Sequence, residues 1–183
     1  MSLSKPSQIL FDLLAAYMTN LYSNPVKTRA ITSLITAAFG NFVAQRITEA
    51  NKINQDSLIA FGLFGLLFGG PVPYFFYKYI HLFVKNRLGI LAVERIVYTP
   101  LFEALSLYML PRLEGKSHQH SCKNLHNRYR SILLTNWKYL TLMQFINMYY
   151  IPPILKVLVS NIIGLMWTIY LAKVHIQDEI NQN

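Results

Sequence analysis

Apolar residues follow one another along the chain in blocks of about twenty, with short polar segments between the blocks. A helix needs about 20 apolar residues to cross the hydrocarbon core of a bilayer, which is about 30 Å thick. Four blocks have this length and predict membrane-spanning helices, at residues 26–47, 57–84, 88–110 and 152–174. The pattern therefore predicts an all-α fold, a polytopic helical bundle in a membrane, formed by residues 1–183 as a single domain.

Two further segments are amphipathic rather than apolar throughout. Residues 1–24 carry apolar side chains at helical spacing, which predicts an amphipathic helix before the first span. Residues 131–151 carry a polar stripe that includes Gln144 and Asn147, and this segment could span, re-enter or lie in the interface. Residues 111–130, which precede it, are hydrophilic and predict the longest loop of the chain.

The second block reads GLFGLLFGGPVPYFFYKYI over residues 62–80 and contains four glycines. A phosphate-binding loop would need Lys-Ser or Lys-Thr after its last glycine, and a dinucleotide fold would need G-x-G-x-x-G; neither is present. Gly62, Gly65 and Gly69 fall on one helical face, and we interpret them, with Gly40 of the first block, as positions where helices pack closely. Kinks are predicted where helix-breaking residues interrupt the blocks, at Gly70, Pro71, Pro73, Pro100 and Pro152.

Composition supports a membrane protein and narrows its chemistry. Hydrophobic residues make up 53% of the chain and charged residues 14%, whereas soluble domains carry about 25% charged residues. The net charge of +9 lies mostly in the connecting segments, where Lys and Arg meet anionic headgroups or solutes. No zinc finger, RNA-recognition signature or basic helix is present, so we expect no nucleic-acid partner.

The chain shows no pattern typical of an enzyme or of a cofactor site. A nucleophile elbow, an H-E-x-x-H motif and a carboxylate pair with a partner base are all missing from the sequence. Cys122 is the single cysteine, which excludes an intrachain disulfide. His118, His120 and His126 surround it, but without the paired spacing of a structural zinc site. We therefore expect no enzymatic activity, no cofactor and no metal.

Polar side chains inside the predicted spans are candidates for lining a pore, because a bare charge at mid-bilayer costs about 2.5–3.5 kcal/mol. Arg95 and Glu103 lie eight residues apart and could form one axis facing a polar lumen, with Arg95 favouring anions. Alternatively, Glu94 and Arg95 lie at the membrane interface, and the amides join helices by hydrogen bonds. The pore-lining candidates are Arg95, Glu94, Glu103, Asn41, Gln45, Gln144, Asn147 and Asn161.

Four stretches of the chain, in this order, are similar to the sequence blocks of a known family. They are YMTNLYSNPVKTRAITSLITAAFGNFVAQ, GLFGLLFGGPVPYFFYKYI, VERIVYTPLFEAL and NWKYLTLMQFINMYYIPPILKVLVSNIIGLMWTIYLA. The sequence resembles the Mpv-seventeen family of small organellar membrane proteins over nearly its whole length. Departures from the family pattern include Tyr74 in place of a histidine and Phe76 in place of a tryptophan.

The resemblance implies a four-span bundle with cytosolic termini and a passive, size-limited pathway for small metabolites. It implies the peroxisomal membrane, with the mitochondrial inner membrane as the alternative, and contact with the peroxisomal membrane-protein import machinery. Tyr17, Leu21, Pro25 and Arg29 resemble a peroxisomal membrane-targeting pattern. The lipid bilayer, small metabolites and further copies of the chain are the other expected partners. An ion-coupled transporter and a membrane organiser acting through protein contacts remain alternative functions.

Overall fold

The computed structural model describes residues 5–48 and 53–182, and over these ranges it contains helices and turns but no strand. Two π-helical turns occur, at Gly65–Gly69 and Glu94–Tyr98. The helices are α1 (Lys5–Ser23), α2 (Pro25–Ile47), α3 (Gln55–Phe64), α4 (Pro71–Phe83), α5 (Arg87–Val93), α6 (Thr99–Leu113), α7 (His118–Tyr149) and α8 (Pro153–Gln182). The all-α fold predicted from the sequence is confirmed.

Polar and proline residues at the helix starts explain where the helices begin. Pro25 is the first residue of α2, where a missing N–H costs nothing. The Asn54 side chain accepts a hydrogen bond from the Ser57 N–H, and the Asn86 side chain accepts one from the Leu88 N–H. The local sequence therefore sets these boundaries before any tertiary contact does.

Both π-helical turns lie just before a proline. The Gly70 N–H donates to the Gly65 carbonyl at 3.0 Å, and the Thr99 N–H donates to the Glu94 carbonyl, each five residues back. Pro71 and Pro100 follow these turns, and a proline ring clashes with the carbonyl four residues before it in an ordinary α-helix. The wider π-helical turn relieves this clash without ending the helical rod.

The remaining predicted kinks have other outcomes. Pro73 is the third residue of α4, where it follows Pro71 and leaves the helix to continue to Phe83. Pro152 lies in the connection between α7 and α8, so it separates two helices rather than bending one. The prediction of a kink at Pro152 is corrected accordingly.

After α1, the described residues form five helical rods, which are α2, α3 joined to α4, α5 joined to α6, α7, and α8. Rods that follow one another in the chain run antiparallel, because residues early in one rod contact residues late in the next rod, and residues late in the first contact residues early in the second. Such contacts are Gly70–Ala30, Phe64–Phe102, Phe76–Tyr98, Leu107–Asn124, Arg95–Asn136, Thr135–Tyr170 and Asn147–Ser160. The rod α2 also packs against α1 and α8, so it lies at the centre of the bundle.

Glycines allow α2 to approach two other rods. A Cβ atom added at Gly65 would fall against the Ser33 carbonyl, and one added at Gly70 would lie 2.6 Å from the Ala30 Cα. Gly69 faces the Ser33 hydroxyl in the same contact, and Gly40 faces Thr168 of α8. At Gly62, by contrast, an added methyl would make only ordinary contacts, the nearest at 3.7 Å from the Ala38 Cβ.

The structure corrects the prediction of a hydrophilic loop over 111–130. The connection is confined to residues 114–117, where Gly115 adopts a φ of 83°, and α7 begins at His118. No glycine or proline occurs from 118 to 149, and the Ser117 hydroxyl caps the helix by accepting the His120 N–H. Residues 131–149, predicted to span, re-enter or lie in the interface, form the second half of α7, which continues unbroken to Tyr149.

Within the described ranges, two helical stretches are long and apolar enough to cross a membrane, Gln55–Phe83 and Val159–Gln177. The predicted spans at 26–47 and 88–110 are helical but are not among these stretches.

Candidate functional site

A cavity of about 820 Å³ lies between the rods. Tyr17, Arg29 and His81, which are exposed or half-buried, border one end, where α2 begins and α4 ends. Phe61 and Leu110, both buried, line the other end. The cavity thus has a polar mouth and an apolar floor.

Hydroxyl and amide groups make most of the polar wall of this cavity. Glu94 is the one carboxylate among the residues described as lining it. The hydroxyl-bearing and amide residues are Thr32, Ser33, Thr36, Tyr77, Ser106, Ser160, Thr168, Gln144, Asn147 and Asn161. A solute inside would therefore meet hydrogen-bonding groups with little charge.

Behind Glu94 lies a set of four buried side chains, Glu94, Arg95, Glu103 and Asn136, which we name the charged cluster. Arg95 Nη2 donates to Glu94 Oε1 at 2.8 Å, and Arg95 Nη1 donates to Asn136 Oδ1 at 2.9 Å. The Asn136 amide then donates from Nδ2 to Glu103 Oε1 at 2.7 Å. Asn136 thus bridges the guanidinium to the second carboxylate, and one arginine is shared among two acids.

Trp137, the next residue along α7, fixes the backbone of this cluster. Its indole Nε1–H donates to the Arg95 carbonyl at 2.9 Å. In the π-helical register, the N–H of residue 100 would be the partner of that carbonyl, as the Thr99 N–H is for Glu94. Pro100 has no N–H, so Trp137 supplies the donor that the helix lacks.

Two buried atoms next to the cavity have no hydrogen-bond partner among the described residues. They are Gln144 Oε1, on a residue that lines the cavity, and Arg95 Nε. The Tyr77 hydroxyl lies beside both Glu94 and Gln144. Buried polar atoms without partners are costly, and such atoms are usually satisfied by a buried water.

A second set of polar side chains, Asn41, Gln45, Asn54 and Ser57, lies at the α2–α3 connection and is named the amide cluster. Asn41 Nδ2 donates to Ser57 Oγ at 3.0 Å, and Gln45 Nε2 donates to Asn41 Oδ1 at 2.7 Å. Gln45 also bonds the Asn54 backbone in both directions, accepting its N–H at 2.7 Å and donating to its carbonyl at 3.0 Å. These bonds hold the end of α2 against the start of α3.

The candidates predicted from the sequence are thus divided between these places. Glu94, Gln144, Asn147 and Asn161 line the cavity, and Asn147 Nδ2 also donates to Ser160 Oγ at 2.8 Å. Arg95 and Glu103 are not among the lining residues, and the predicted Arg95–Glu103 axis passes through Asn136. Asn41 and Gln45 lie in the amide cluster, away from the cavity. Of the targeting candidates, Tyr17, Leu21 and Arg29 line the mouth and Pro25 begins α2.

The sequence analysis missed Asn136 and Tyr77. Asn136 precedes Asn147 by eleven residues, about three helical turns, so it continues the polar stripe of 131–151 toward the N-terminus. Extending that stripe would have found it. No periodicity marks Tyr77, because aromatic residues occupy most positions from 74 to 79.

A third polar contact joins the α6–α7 connection to α8. The two carboxylate oxygens of Glu114 each lie 2.8 Å from His175 Nε2, and Lys116 Nζ lies 3.1 Å from the same carboxylate. Burial alone would raise the pKa of Glu114, but the hydrogen bond and charge of His175 and the charge of Lys116 hold it below the usual value of 4.5. This contact anchors the end of α8.

The histidines near Cys122 are placed differently from the residues of a metal site. His118 Nδ1 lies 2.9 Å from the Tyr108 hydroxyl, and the Cys122 sulfur lies 3.6 Å from His118 Nε2. Over residues 5–48 and 53–182, no group of three or more His, Cys, Asp or Glu side chains could hold a metal ion.

Comparison with known proteins places the chain in a family. Residues 111–172 match the Mpv17 / PMP22 family. The chain is 30% identical to peroxisomal membrane protein 2 of Bos taurus over 171 residues, which covers 87% of each chain. It is 32% identical to PXMP2/4 family protein 3 of Dictyostelium discoideum over 178 residues, covering 94% of this chain and 96% of that one.

A further relative is named for a different organelle. The mitochondrial inner membrane protein Mpv17 of Xenopus laevis is 23% identical over 165 residues, covering 86% of this chain and 93% of that one. No solved structure matches the chain. The names of these relatives agree with the peroxisomal membrane and its mitochondrial alternative, both expected from the sequence. The chain belongs to the Mpv17 / PMP22 family of membrane proteins.

Proposed function

We propose that the protein is a passive, size-limited channel for small metabolites in the peroxisomal membrane, with the mitochondrial inner membrane as the alternative location. One observation carries this proposal, which is a cavity of about 820 Å³, with hydroxyl and amide groups set in a largely apolar wall, inside a bundle whose outer surface is apolar. Such a volume is typical of sites that hold small molecules.

The apolar outer surface supports a bilayer location. Phe83 is 83% exposed, Ile96 71% and Leu101 68%, and other large apolar side chains are exposed around the bundle. Only 33% of the apolar stretch in Gln55–Phe83 and 11% of that in Val159–Gln177 is buried inside the protein. A core helix of a soluble protein would be mostly buried, so these helices suit lipid contact.

The number of crossings follows from the five rods. We infer that all five cross the bilayer, one more than the four spans expected, because α7 runs beside α6 and α8. The helix α7 has 32 residues and is about 48 Å long, so its hydrophilic first half extends beyond a core of about 30 Å. An odd number of crossings puts the start of α2 and the end of α8 on opposite sides.

This topology has a direct test. Epitope tags at the two ends of the chain, probed by protease digestion of intact organelles, would be cleaved at one end only. Cleavage of both tags, or protection of both, would contradict five crossings and restore an even number.

Passive passage agrees with the state of the buried acids. Glu94 is held by Arg95 and Glu103 by Asn136, so both acids have fixed partners within the protein. The sequence carries no nucleophile elbow, no H-E-x-x-H motif and no carboxylate pair with a partner base, which supports a role without chemistry. Further copies of the chain could cover part of the exposed apolar surface.

The test is solute release from liposomes that contain the purified protein, with uncharged polyols of increasing size and no ion gradient. We expect release with a sharp upper size limit. Release that needs a proton or sodium gradient would support a coupled transporter instead. No release from protein of verified helicity would support a membrane organiser.

A plugged variant makes the test specific to the cavity. Gly164 lines the cavity, and a Cβ atom added there would meet nothing within 4 Å, so the side chain of Gly164→Phe starts in open space and should narrow the cavity. It should lower both the release rate and the size limit. Ile162→Phe is the matched control, because Ile162 lies on the same helix, is 49% exposed and does not line the cavity.

A further inference from the structure

We propose that the cavity selects uncharged, hydroxyl-rich solutes, and that the Glu94–Arg95 pair creates this selectivity by cancelling the one carboxylate in the cavity wall. This selectivity rests on the channel function proposed above. It replaces the anion preference that the sequence suggested for Arg95, since Arg95 lies behind the wall and not in it.

The wall offers what a neutral polyol needs on leaving water. Hydroxyls of Ser33 and Thr36 and the amides of Gln144 and Asn161 line the cavity and can each replace a water molecule as hydrogen-bond partner. A hydroxylated solute thus loses water but regains hydrogen bonds.

A charged solute meets no such compensation inside. The Glu94 carboxylate is tied to Arg95 Nη2 at 2.8 Å, and the side chains of the two residues are only 9% and 12% exposed. The pair therefore presents almost no net charge to the cavity, and an ion entering would lose hydration without an opposite charge to replace it.

The cation at the mouth does not alter this balance. Arg29 is exposed, and its guanidinium lies 5.4 Å from the centre of the Tyr74 ring. Its charge stays hydrated and is screened by salt, whereas the Glu94–Arg95 pair is buried and is screened much less. Arg29 affects the approach of ions, and the pair decides which solutes pass.

The two members of the pair can be removed one at a time with opposite results. Glu94→Gln removes the carboxylate from the wall and leaves Arg95 with only the more distant Glu103, across Asn136, as its counter-charge, so it should favour anions. Arg95→Gln leaves the Glu94 carboxylate uncompensated in the wall and should favour cations. The double variant Glu94→Gln/Arg95→Gln should return to the preference of the unmodified protein, because both charges are gone.

The experiment measures release of radiolabelled erythritol, erythronate and the corresponding amino alcohol from liposomes, with the membrane potential held at zero. These solutes share a size and differ in charge. The unmodified protein should release erythritol fastest. Two unit charges about 4 Å apart in water interact by about 1 kcal/mol, which is about fivefold in the rate of each charged solute. Because the anion and the cation respond in opposite senses, each single variant should change the ratio of erythronate to amino alcohol by about 25-fold, in opposite directions.

Matched controls remove charges that do not lie at the cavity. Asp56→Asn removes an exposed acid at the start of α3, and Lys123→Gln removes an exposed base on α7. Neither should change the ratio. Equal shifts from these controls would overturn the role of the Glu94–Arg95 pair, since bulk charge would then explain the selectivity.

Added charge gives an independent test should the pair variants fail to fold. Asn161 is exposed and lines the cavity, so Asn161→Asp should favour the amino alcohol and Asn161→Lys should favour erythronate. An unchanged ratio in both would overturn the proposal. Equal release of all three solutes by the unmodified protein would overturn the selectivity alone, whereas no release of any solute would contradict the channel function itself.

Discussion

The amide cluster and the charged cluster are both buried between helices, yet they differ in how completely their hydrogen bonds are closed. Asn41 and Gln45 are 0% and 2% exposed, and Glu94 and Glu103 are 7% and 3% exposed, so burial does not separate the two sets. The amide cluster bonds to itself and to one backbone segment. The charged cluster keeps Arg95 Nε unpartnered among the described residues and places Glu94 in the cavity wall.

This difference shows how polar residues in apolar blocks should be interpreted. A set of uncharged side chains whose hydrogen bonds are all satisfied costs little to bury. Such a set joins two helices, and its role is to stabilise the fold. A set that holds charge and borders a cavity acts on whatever enters the cavity. The predictions that follow break one cluster at a time, and they distinguish a loss of stability from a change in selectivity.

The largest effect is expected for Asn136→Leu, which removes the bridge of the charged cluster. Leucine has a similar volume but leaves Arg95 Nη1 and Glu103 Oε1 without the partners they have now. Breaking a buried charged network costs about 3 kcal/mol, so the midpoint of thermal unfolding of the purified protein should fall sharply. Solute selectivity should change too, since Arg95 is then free to move relative to Glu94.

The control for this variant is Asn127→Leu, on the exposed side of the same helix. It should leave both unfolding midpoint and selectivity unchanged. A small loss of stability in Asn136→Leu, no greater than that of the control, would contradict the bridging role of Asn136.

The second effect concerns the amide cluster and should be confined to stability. Gln45→Leu removes three hydrogen bonds and leaves the Asn54 N–H without its side-chain acceptor. We expect a loss of about 2 kcal/mol in the free energy of unfolding. Release of erythritol, erythronate and the amino alcohol should keep its order in the variant, and Gln119→Leu, at an exposed position of α7, is the matched control. A change of solute selectivity in Gln45→Leu would contradict the assignment of selectivity to the charged cluster and of stability alone to the amide cluster.

The sequence predicted the helical rods well, because their signal is local. Blocks of apolar residues and capping residues such as Asn54 and Asn86 are visible without any tertiary contact. The loop predicted over 111–130 failed for a related reason. The helix that begins at His118 lacks an apolar periodicity in its first half, and its hydrophilic composition favours a loop. No glycine or proline, however, occurs from 118 to 130.

The candidate site could be predicted only in part, since its chemistry depends on distant pairs. Glu94 and Gln144 were recognised as polar residues in apolar segments, but nothing local joins Arg95 to Asn136, which lies 41 residues away. Nor does the local sequence show that Gln45 bonds the Asn54 backbone and so lies away from the cavity. Periodicity finds the polar face of a helix, and only the packing of the rods decides what that face meets.

The third prediction concerns Glu114. It carries a charge, like the charged cluster, and its carboxylate has hydrogen-bond partners, like the side chains of the amide cluster. Its folded pKa lies below 4.5, so its contact with His175 and Lys116 stabilises the protein above that pH and is lost as pH falls through the folded pKa. Glu114→Gln should lower stability by about 1.5 kcal/mol at neutral pH. The difference in unfolding midpoint between the variant and the unmodified protein should shrink below pH 4.5. A difference that persists in acid would show that charge is not involved, and Asp56→Asn should show no such pH dependence.

The smallest effect tests how the backbone of the charged cluster is held. Trp137→Phe keeps an aromatic ring but removes the N–H that donates to the Arg95 carbonyl, at a cost of about 1 kcal/mol. In Pro100→Ala, residue 100 regains an N–H that can reach the same carbonyl in the π-helical register, or restore an ordinary α-helical turn. Trp137→Phe should therefore cost less in the Pro100→Ala background than alone, and unfolding of the four proteins of this cycle measures the difference. Additive losses would mean that Trp137 does not substitute for the missing donor of Pro100. A coupled result would show that the proline and the tryptophan together set the position of Arg95 behind the cavity wall.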